Sequence, residues 1–231
     1  RYRCWEKDGH GAVDLKAAIV RSCDVYFYKM SDELGIQKVV NVLDSFGFGR
    51  KTGIDLPGEQ KGLLPSPEWK RKNRNLPWYP GETLITGIGQ GFLLATPLQL
   101  AHFTATIAMQ GQVRAPYLVQ HIENPDGSPE VSLQSSPIQI IFPGNEEYWQ
   151  TIADSMVEVV HGSLGTARGS GYGAPVRFAG KTGTSQVFAI AQDEEFDEEK
   201  VPAHLKDHAL FIAFAPTEEP QIALAVVVEN G

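Results

Sequence analysis

The sequence has 231 residues, of which 42% are hydrophobic, and a formal net charge of -8 at pH 7. This apolar content can bury one full core, and the acidic balance argues against a nucleic-acid partner and against docking on an anionic membrane surface. No apolar run approaches the roughly 18 residues of a membrane-spanning helix, and the start shows no signal peptide. We therefore expect one globular unit, with a solvated acidic loop at 193–199.

The chain begins with two predicted helices that meet at a corner. Asp14 is a suitable N-cap for a first helix that includes residues 15–19, and a second helix spans about 25–34 and ends at Gly35. Ser22 lies between them. Taken alone, Ser22 fits an ordinary N-cap, and Asp24 fits an acid that complements the helix dipole. A third helix is predicted at 36–46, with Gly47 as its C-terminal glycine.

Prolines and glycines dominate residues 49–80, which predicts a long surface excursion. It contains one short helix that begins at Pro67 with Ser66 as N-cap. Trp69, Trp78 and Tyr79 are expected to pack beneath this excursion. The glycine-rich run at 87–91 matches neither the dinucleotide fingerprint nor the P-loop, so we expect no phosphate site there.

Two amphipathic helices follow. The capping box at 96–99 starts a helix that ends at Gly111 and should be buried against a sheet, and a second helix, from about 149 to 160, ends at Gly162. Between them, residues 113–123 and 131–142 are expected to be extended and joined by a turn at 124–127. A loop at 162–167 then leads toward the next strand.

The segment 177–188 has the composition of an edge strand that holds a ligand. A lysine, two threonines and a glycine follow one another at 181–184; the cation and hydroxyls suit a carboxylate, and Gly183 would let another backbone approach. Apolar strands at 210–215 and 222–228 come next. Three consecutive strands predict an antiparallel sheet covered by helices, an α+β fold.

Three segments occur in a diagnostic order: Arg-Ser-Cys-Asp-Val-Tyr at 21–26, Gly-Ile-Gly-Gln-Gly at 87–91, and Lys-Thr-Gly at 181–183. Together they resemble the transpeptidase domain of penicillin-binding proteins, whose motifs are S-x-x-K, S-D-N and K-T-G. The runs at 52–56 and 77–79 make the resemblance closest to the class B, elongation-type penicillin-binding protein 2 group. It covers essentially residues 1–231, as the central and C-terminal part of such a domain, and implies helices on both faces of the sheet.

The resemblance implies a peptidoglycan DD-transpeptidase that cross-links D-Ala-D-Ala stem peptides and is acylated by β-lactams. Ser22 would relay protons between the nucleophile and the leaving amine, and Lys181 would set the positive potential of the site. Asp24 would orient the substrate amide, at a position where most members have asparagine. Catalysis would require no cofactor.

The substrate would be bound by the lysine strand. Thr182 and Thr184 would hold its carboxylate, with Gly183 between them. The backbone N–H of Thr184 would complete an oxyanion hole with the N–H of the nucleophilic serine, and each such donor is typically worth a few kcal/mol.

The nucleophile itself is missing, because no serine in the sequence has a lysine three residues later. We expect the S-x-x-K motif upstream of Arg1, so that the 231 residues alone are inactive. A membrane anchor would also lie upstream, on a protein at the periplasmic face of the bacterial inner membrane that works with the cell-wall elongation machinery. The alternatives are a DD-carboxypeptidase or β-lactamase of the same fold, or a non-catalytic β-lactam sensor.

Cys4 and Cys23 are the only cysteines, and His10 lies between them. In an exported protein two cysteines ordinarily form a disulfide, which would stabilise the fold by roughly 3 kcal/mol in the chain-entropy model. The spacing also suits a structural zinc site short of one ligand. Some elongation-type members resemble this arrangement, although an aspartate is more usual where Cys4 stands. The fourth ligand would come from upstream, or from Asp8 or Asp14.

Overall fold

The computed structural model describes residues 2–127, 129–132, 137–186 and 206–231, together with Pro202. The acidic loop expected at 193–199 lies outside these residues. No helix in the described ranges is long and apolar enough to cross a membrane. The helices are α1 Leu15–Val20, α2 Asp24–Leu34, α3 Ile36–Ser45, α4 Pro67–Arg74, α5 Pro80–Gly87, α6 Pro97–Ala108 and α7 Glu146–His161.

The described strands form one three-stranded sheet and two small antiparallel pairs. The pairs are β1 with β4 and β2 with β3, and the larger sheet has the order β5-β6-β7. The strands are β1 Gln112–Val113, β2 His121–Glu123, β3 Pro129–Ser132, β4 Gln139–Ile140, β5 Ala179–Ser185, β6 His208–Ala215 and β7 Ile222–Val228.

The three-stranded sheet confirms the predicted α+β class and the antiparallel arrangement of the lysine strand. Lys181 pairs with Ile212, and Ala179 pairs with Phe214. Gln221 closes the short connection between β6 and β7 by donating its backbone N–H to the carbonyl of Ala215, at 2.8 Å. Among the described strands, β5 is hydrogen-bonded to β6 alone in this sheet, so no described strand occupies its other edge.

The core lies between one face of this sheet and helices α6 and α7. Ile107 of α6 and Trp149 and Met156 of α7 pack in one buried cluster with Ala179 and Phe214 of the sheet. Burying a large apolar side chain typically contributes about 1.5–3 kcal/mol, so this cluster anchors β5 against α7. The burial of α6 against the sheet, predicted from its capping box and apolar face, is confirmed.

The opposite face of the sheet is less covered in the described part of the chain. Leu224, Val226 and Val228 are 39%, 45% and 50% exposed. The helices that contact the sheet among the described residues, α6 and α7, share the same face. Of the helix cover expected on both faces, the described residues contain the cover of one face.

Helix α5 was not predicted, because residues 49–80 were interpreted as an excursion with a single helix. No serine, threonine or aspartate precedes Pro80 to signal a cap. Instead Glu82 reaches back to accept the backbone N–H of Tyr79 at 2.8 Å, and it also pairs with the buried ammonium of Lys70. The helix from Pro67, capped by Ser66, is confirmed.

The long extended segments predicted at 113–123 and 131–142 are wrong in extent. The described parts hold only short strands, because other partners satisfy the intervening backbone. The carboxylate of Asp55 accepts the N–H groups of Leu118 and Val119 at 2.7 and 2.8 Å. The predicted turn is present, closed by Gly127 N–H to the carbonyl of Asn124 at 2.8 Å.

Candidate active site

Ser22 lies at the corner between α1 and α2, as predicted. Its φ is 51°, in the left-handed region that serine rarely adopts. The corner is a Schellman ending of α1, in which Cys23 N–H donates to Ala18 O at 2.9 Å and Ser22 N–H to Ile19 O at 3.3 Å. Cys23, not Ser22, is the N-cap of α2. The interpretation of Ser22 as an ordinary N-cap is therefore wrong, and its hydroxyl is available for the site.

Trp5 holds this corner from the N-terminal side. Its indole N–H donates to the carbonyl of Ser22 at 2.9 Å, and its backbone N–H donates to Oδ2 of Asp24 at 3.1 Å. Asp24 is the first residue of α2, where its negative charge also complements the helix dipole. The segment before α1 thus fixes both the backbone of Ser22 and the carboxylate of Asp24.

Strand β5 brings Lys181 to the same corner. Lys181 Nζ donates to Ser22 Oγ at 2.6 Å and to the carbonyl of Thr182 at 2.8 Å. Burial lowers the pKa of Lys181 from 10.5 to about 8, because it disfavours the charged amine, while the negative charge of Asp24 acts in the opposite direction. A lysine with this pKa is mostly charged at neutral pH but releases its proton far more readily than a free lysine.

The predicted substrate-binding residues lie along the same strand edge. Thr182 is partly buried beside Lys181, and Gly183 and Thr184 are exposed. The glycine-rich run reaches this edge too, because Gln90 Nε2 donates to the carbonyl of Thr184 at 3.3 Å. One continuous surface therefore holds a cation, hydroxyls and the backbone of an open strand, a set that suits an extended peptide with a carboxylate.

The two glycines of β5, Gly180 and Gly183, differ in how much space their surroundings leave for a side chain. A Cβ added at Gly180 would lie 2.5 Å from the ring of Phe211, so the fold itself excludes a larger residue there. A Cβ added at Gly183 would meet Leu210 at 3.4 Å. The protein's own packing therefore requires a glycine much less at Gly183 than at Gly180.

Sequence reasoning missed Thr166 as a member of the site. Its Oγ1 lies 2.9 Å from Thr182 Oγ1 and 3.4 Å from Ser22 Oγ. The sequence offered one signal, which is the glycine that precedes Thr166. The structure explains this glycine, because a Cβ at Gly165 would lie 2.1 Å from the carbonyl oxygen of Val159. Such a close approach marks a loop whose path is fixed against α7.

The three residues considered for zinc converge. One ligand atom each from Cys4, His10 and Cys23 all lie within 4.8 Å of one another, and Cys4 Sγ is 3.4 Å from His10 Nδ1. Both cysteines are free thiols in this structure, and burial raises the pKa of the Cys23 thiol. They border a cavity of about 550 Å³. Asp8 and Asp14 are not part of the converging group in the described residues.

Comparison with known proteins gives a consistent result. The sequence matches the penicillin binding protein transpeptidase domain family over residues 1–231. It is 42% identical to the peptidoglycan D,D-transpeptidase MrdA of Acinetobacter baumannii, covering 100% of this chain and 34% of that protein. The corresponding protein of Escherichia coli K12 is 38% identical, with 36% of its length covered. The chain thus spans about a third of these curated relatives.

Solved structures agree with this match. PBP2 of Pseudomonas aeruginosa, in complex with WCK 5153, is 45% identical with a TM-score of 0.83 over 100% of this chain and 46% of that one. PBP2 of Helicobacter pylori, in a complex with MreC, is 37% identical with a TM-score of 0.84 over 100% of this chain and 39% of that one. The expected transpeptidase fold is thereby confirmed.

Proposed function

The chain belongs to the penicillin-binding protein transpeptidase family, of the PBP2 type, and on this basis we propose that it is the substrate-binding part of a peptidoglycan D,D-transpeptidase. The observation that carries the proposal is the 2.6 Å hydrogen bond from Lys181 to Ser22 beside the open edge of β5. It joins residues from the two distant motifs, at a place where an extended peptide can add to the sheet.

The reaction is acyl transfer from a D-Ala-D-Ala stem peptide. A serine Oγ–H attacks the carbonyl carbon of the terminal peptide bond, an ester forms, and the bond to the terminal D-alanine breaks. The serine proton reaches the leaving amine through Ser22, which Lys181 holds and polarises. An amine of a second stem peptide then attacks the ester carbon, the bond from that carbon to the serine oxygen breaks, and a proton of the amine returns to this oxygen through Ser22.

The remaining residues bind and orient the donor peptide. Thr182 and Thr184 hold the terminal carboxylate, and Gly183 leaves room for the peptide backbone. The N–H of Thr184 stabilises the developing oxyanion together with the N–H of the nucleophilic serine. Asp24 orients the amide of the substrate, and its own carboxylate is fixed by the N–H of Trp5.

The nucleophile belongs to an S-x-x-K segment outside residues 1–231. This part of the proposal is supported by the absence of that motif from the sequence. The 37–42% identity to curated D,D-transpeptidases favours the transpeptidase over a DD-carboxypeptidase, a β-lactamase or a β-lactam sensor. No cofactor enters the chemical steps.

The proposed partners are peptidoglycan stem peptides, β-lactams and the cell-wall elongation machinery. The complex of the Helicobacter pylori relative with MreC supports the last of these. The proposed location is the periplasmic face of the bacterial inner membrane, with the anchor in another part of the protein.

A structural zinc ion is proposed at Cys4, His10 and Cys23. Two thiols and an imidazole within 4.8 Å of one another form a donor set that zinc prefers, and a fourth ligand completes the site. The ion would cross-link the segment before α1 to the start of α2 and would take no part in the chemical steps. Because Cys23 follows Ser22 directly and Cys4 precedes Trp5, these ligands would fix both sides of the active-site corner.

Covalent labelling with a fluorescent penicillin tests the function. We expect the full-length protein to be labelled and residues 1–231 alone to remain unlabelled. Lys181→Ala should abolish labelling of the full-length protein without unfolding it. Labelling of the 231-residue chain would place the nucleophile within it, and a full-length protein that resists penicillin would refute the transpeptidase assignment.

A further inference from the structure

The hydroxyl of Thr166 lies between the two functional sides of the site. It is 2.9 Å from Thr182 Oγ1, on the proposed carboxylate-binding side, and 3.4 Å from Ser22 Oγ, on the proton-relay side. Together with Lys181, whose Nζ contacts Ser22 at 2.6 Å and Thr182 Oγ1 at 3.4 Å, these hydroxyls close a ring of hydrogen bonds.

The backbone, not the side chain, places Thr166. Its N–H donates to the carbonyl of Val20 at 3.3 Å, and Ala167 N–H donates to the carbonyl of Val159 at 3.0 Å. Gly165 is buried against the end of α7, where no Cβ would fit. The side chain of Thr166 is exposed and fills no core position, so the structure needs its hydroxyl less for packing than for the ring.

The ring can carry its hydrogen bonds in two directions, because a hydroxyl both donates and accepts whereas the lysine ammonium only donates. In one direction Thr182 donates to Thr166, and Thr166 donates to Ser22. In the other, Ser22 donates to Thr166, Thr166 donates to Thr182, and the proton of Thr182 points out of the ring.

A carboxylate at Thr182 selects the second direction, because an anion accepts the outward proton in a charge-assisted hydrogen bond. Ser22 then accepts from Lys181 and directs its own proton to Thr166, which leaves its second lone pair free to accept the hydrogen bond of the nucleophile. As the nucleophile's proton is transferred to Ser22, the proton that Ser22 carried leaves Thr166 and passes to the leaving amine, so Ser22 stays neutral. Hydrogen bonds in such a chain strengthen one another.

We propose that Thr166 is a positioning residue that couples recognition of the substrate carboxylate at Thr182 to the proton-accepting state of Ser22. This inference rests on the proposed function and deepens it. A substrate without a carboxylate therefore loses its contact with Thr182 and also fails to select the hydrogen-bond direction in which Ser22 can accept a proton.

The test compares two ligands on the full-length protein. Benzylpenicillin has the carboxylate and its methyl ester does not, and the second-order rate constant of acylation is measured for each as a function of pH. Thr166→Val removes the hydroxyl and keeps the shape, Thr166→Ser keeps the hydroxyl, and Ser163→Ala removes another exposed hydroxyl from the same loop.

We expect Thr166→Val to slow acylation by benzylpenicillin about tenfold, the upper range of one hydrogen bond between neutral groups, and acylation by the ester by less than about threefold. The preference for the carboxylate therefore falls. Thr166→Ser and Ser163→Ala should stay within about threefold of the wild type with both ligands.

Other outcomes overturn the coupling. An equal loss with both ligands in Thr166→Val shows a structural role for Thr166, and no loss shows that the ring does not matter. In both cases the labelled wild type leaves the proposed function standing. A wild-type protein that neither ligand acylates removes the proposed function and this inference together.

Discussion

Replacing Lys181 by methionine removes a charge from a partly buried position and keeps an unbranched stem. The fall in the pKa of Lys181 from 10.5 to about 8 corresponds to about 3 kcal/mol lost by the charged form on folding. At pH 7 the lysine is charged in both states, so the folded protein bears this cost. We expect Lys181→Met to raise the free energy of unfolding at pH 7 by about 1–3 kcal/mol. This range allows for the loss of the hydrogen bonds to Ser22 and Thr182, which lowers the gain.

The sign of the pH dependence follows from the two pKa values. Unfolded lysine keeps its proton up to 10.5, whereas Lys181 in the folded protein releases it from about 8. Between these values the unfolded state binds more protons, so wild-type stability rises with pH relative to Lys181→Met. The advantage of the variant should be constant below pH 8 and shrink as the pH approaches 10.5.

Urea unfolding of the purified proteins at several pH values between 6 and 10 measures this difference. Lys181→Arg is the control, because arginine stays charged throughout and its difference from Lys181→Met should not change. Penicillin labelling should be lost in Lys181→Met at every pH. A variant that is less stable than the wild type at pH 7 and still becomes labelled would refute the reasoning and make Lys181 a packing residue.

Two further predictions concern the metal cluster and helix α5. Metal analysis should find one zinc per chain, with the thiols of Cys4 and Cys23 titratable only after chelation; no metal and no titratable thiol would establish a disulfide instead. Gly87→Ala should lower the free energy of unfolding by about 1–3 kcal/mol, because its Cβ would lie 1.7 Å from the buried Ser31 Oγ. Gly81→Ala, in the same helix with no atom within 4 Å, should be neutral; equal effects in urea would contradict this.

The sheet was predictable because its information is local. Residues 222–228 form a strand with the predicted bounds, and the short connection at 216–221 makes β6 and β7 neighbours, whereas 22 residues separate β5 from β6. Helix α5 escaped prediction because its N-terminus depends on a side chain inside the helix, Glu82, and on a buried lysine twelve residues earlier. Residues 113–120 looked extended, but a distant carboxylate, Asp55, holds part of their backbone.

The site could be predicted only in part. Ser22 and Lys181 are 159 residues apart, and no periodicity brings them together. Their proposed association came from the resemblance of two motifs to one family. Thr166 belongs to no motif used in that comparison, and its place between Ser22 and Thr182 depends on how a loop packs against α7. Contacts of this kind appear only when the chain is folded.

The left-handed backbone of Ser22 restricts which hydroxyl-bearing amino acid this position can accept during evolution. Threonine carries the same hydroxyl, but its branched Cβ fits poorly at a φ of 51°. Thr166 and Thr182 are not among the described residues with positive φ, so serine and threonine are both compatible with their backbones. Exchange between serine and threonine is thus compatible with the backbone at Thr166 and Thr182 but not at Ser22. The backbone geometry at Ser22, and not acid–base chemistry, dictates the choice of serine there.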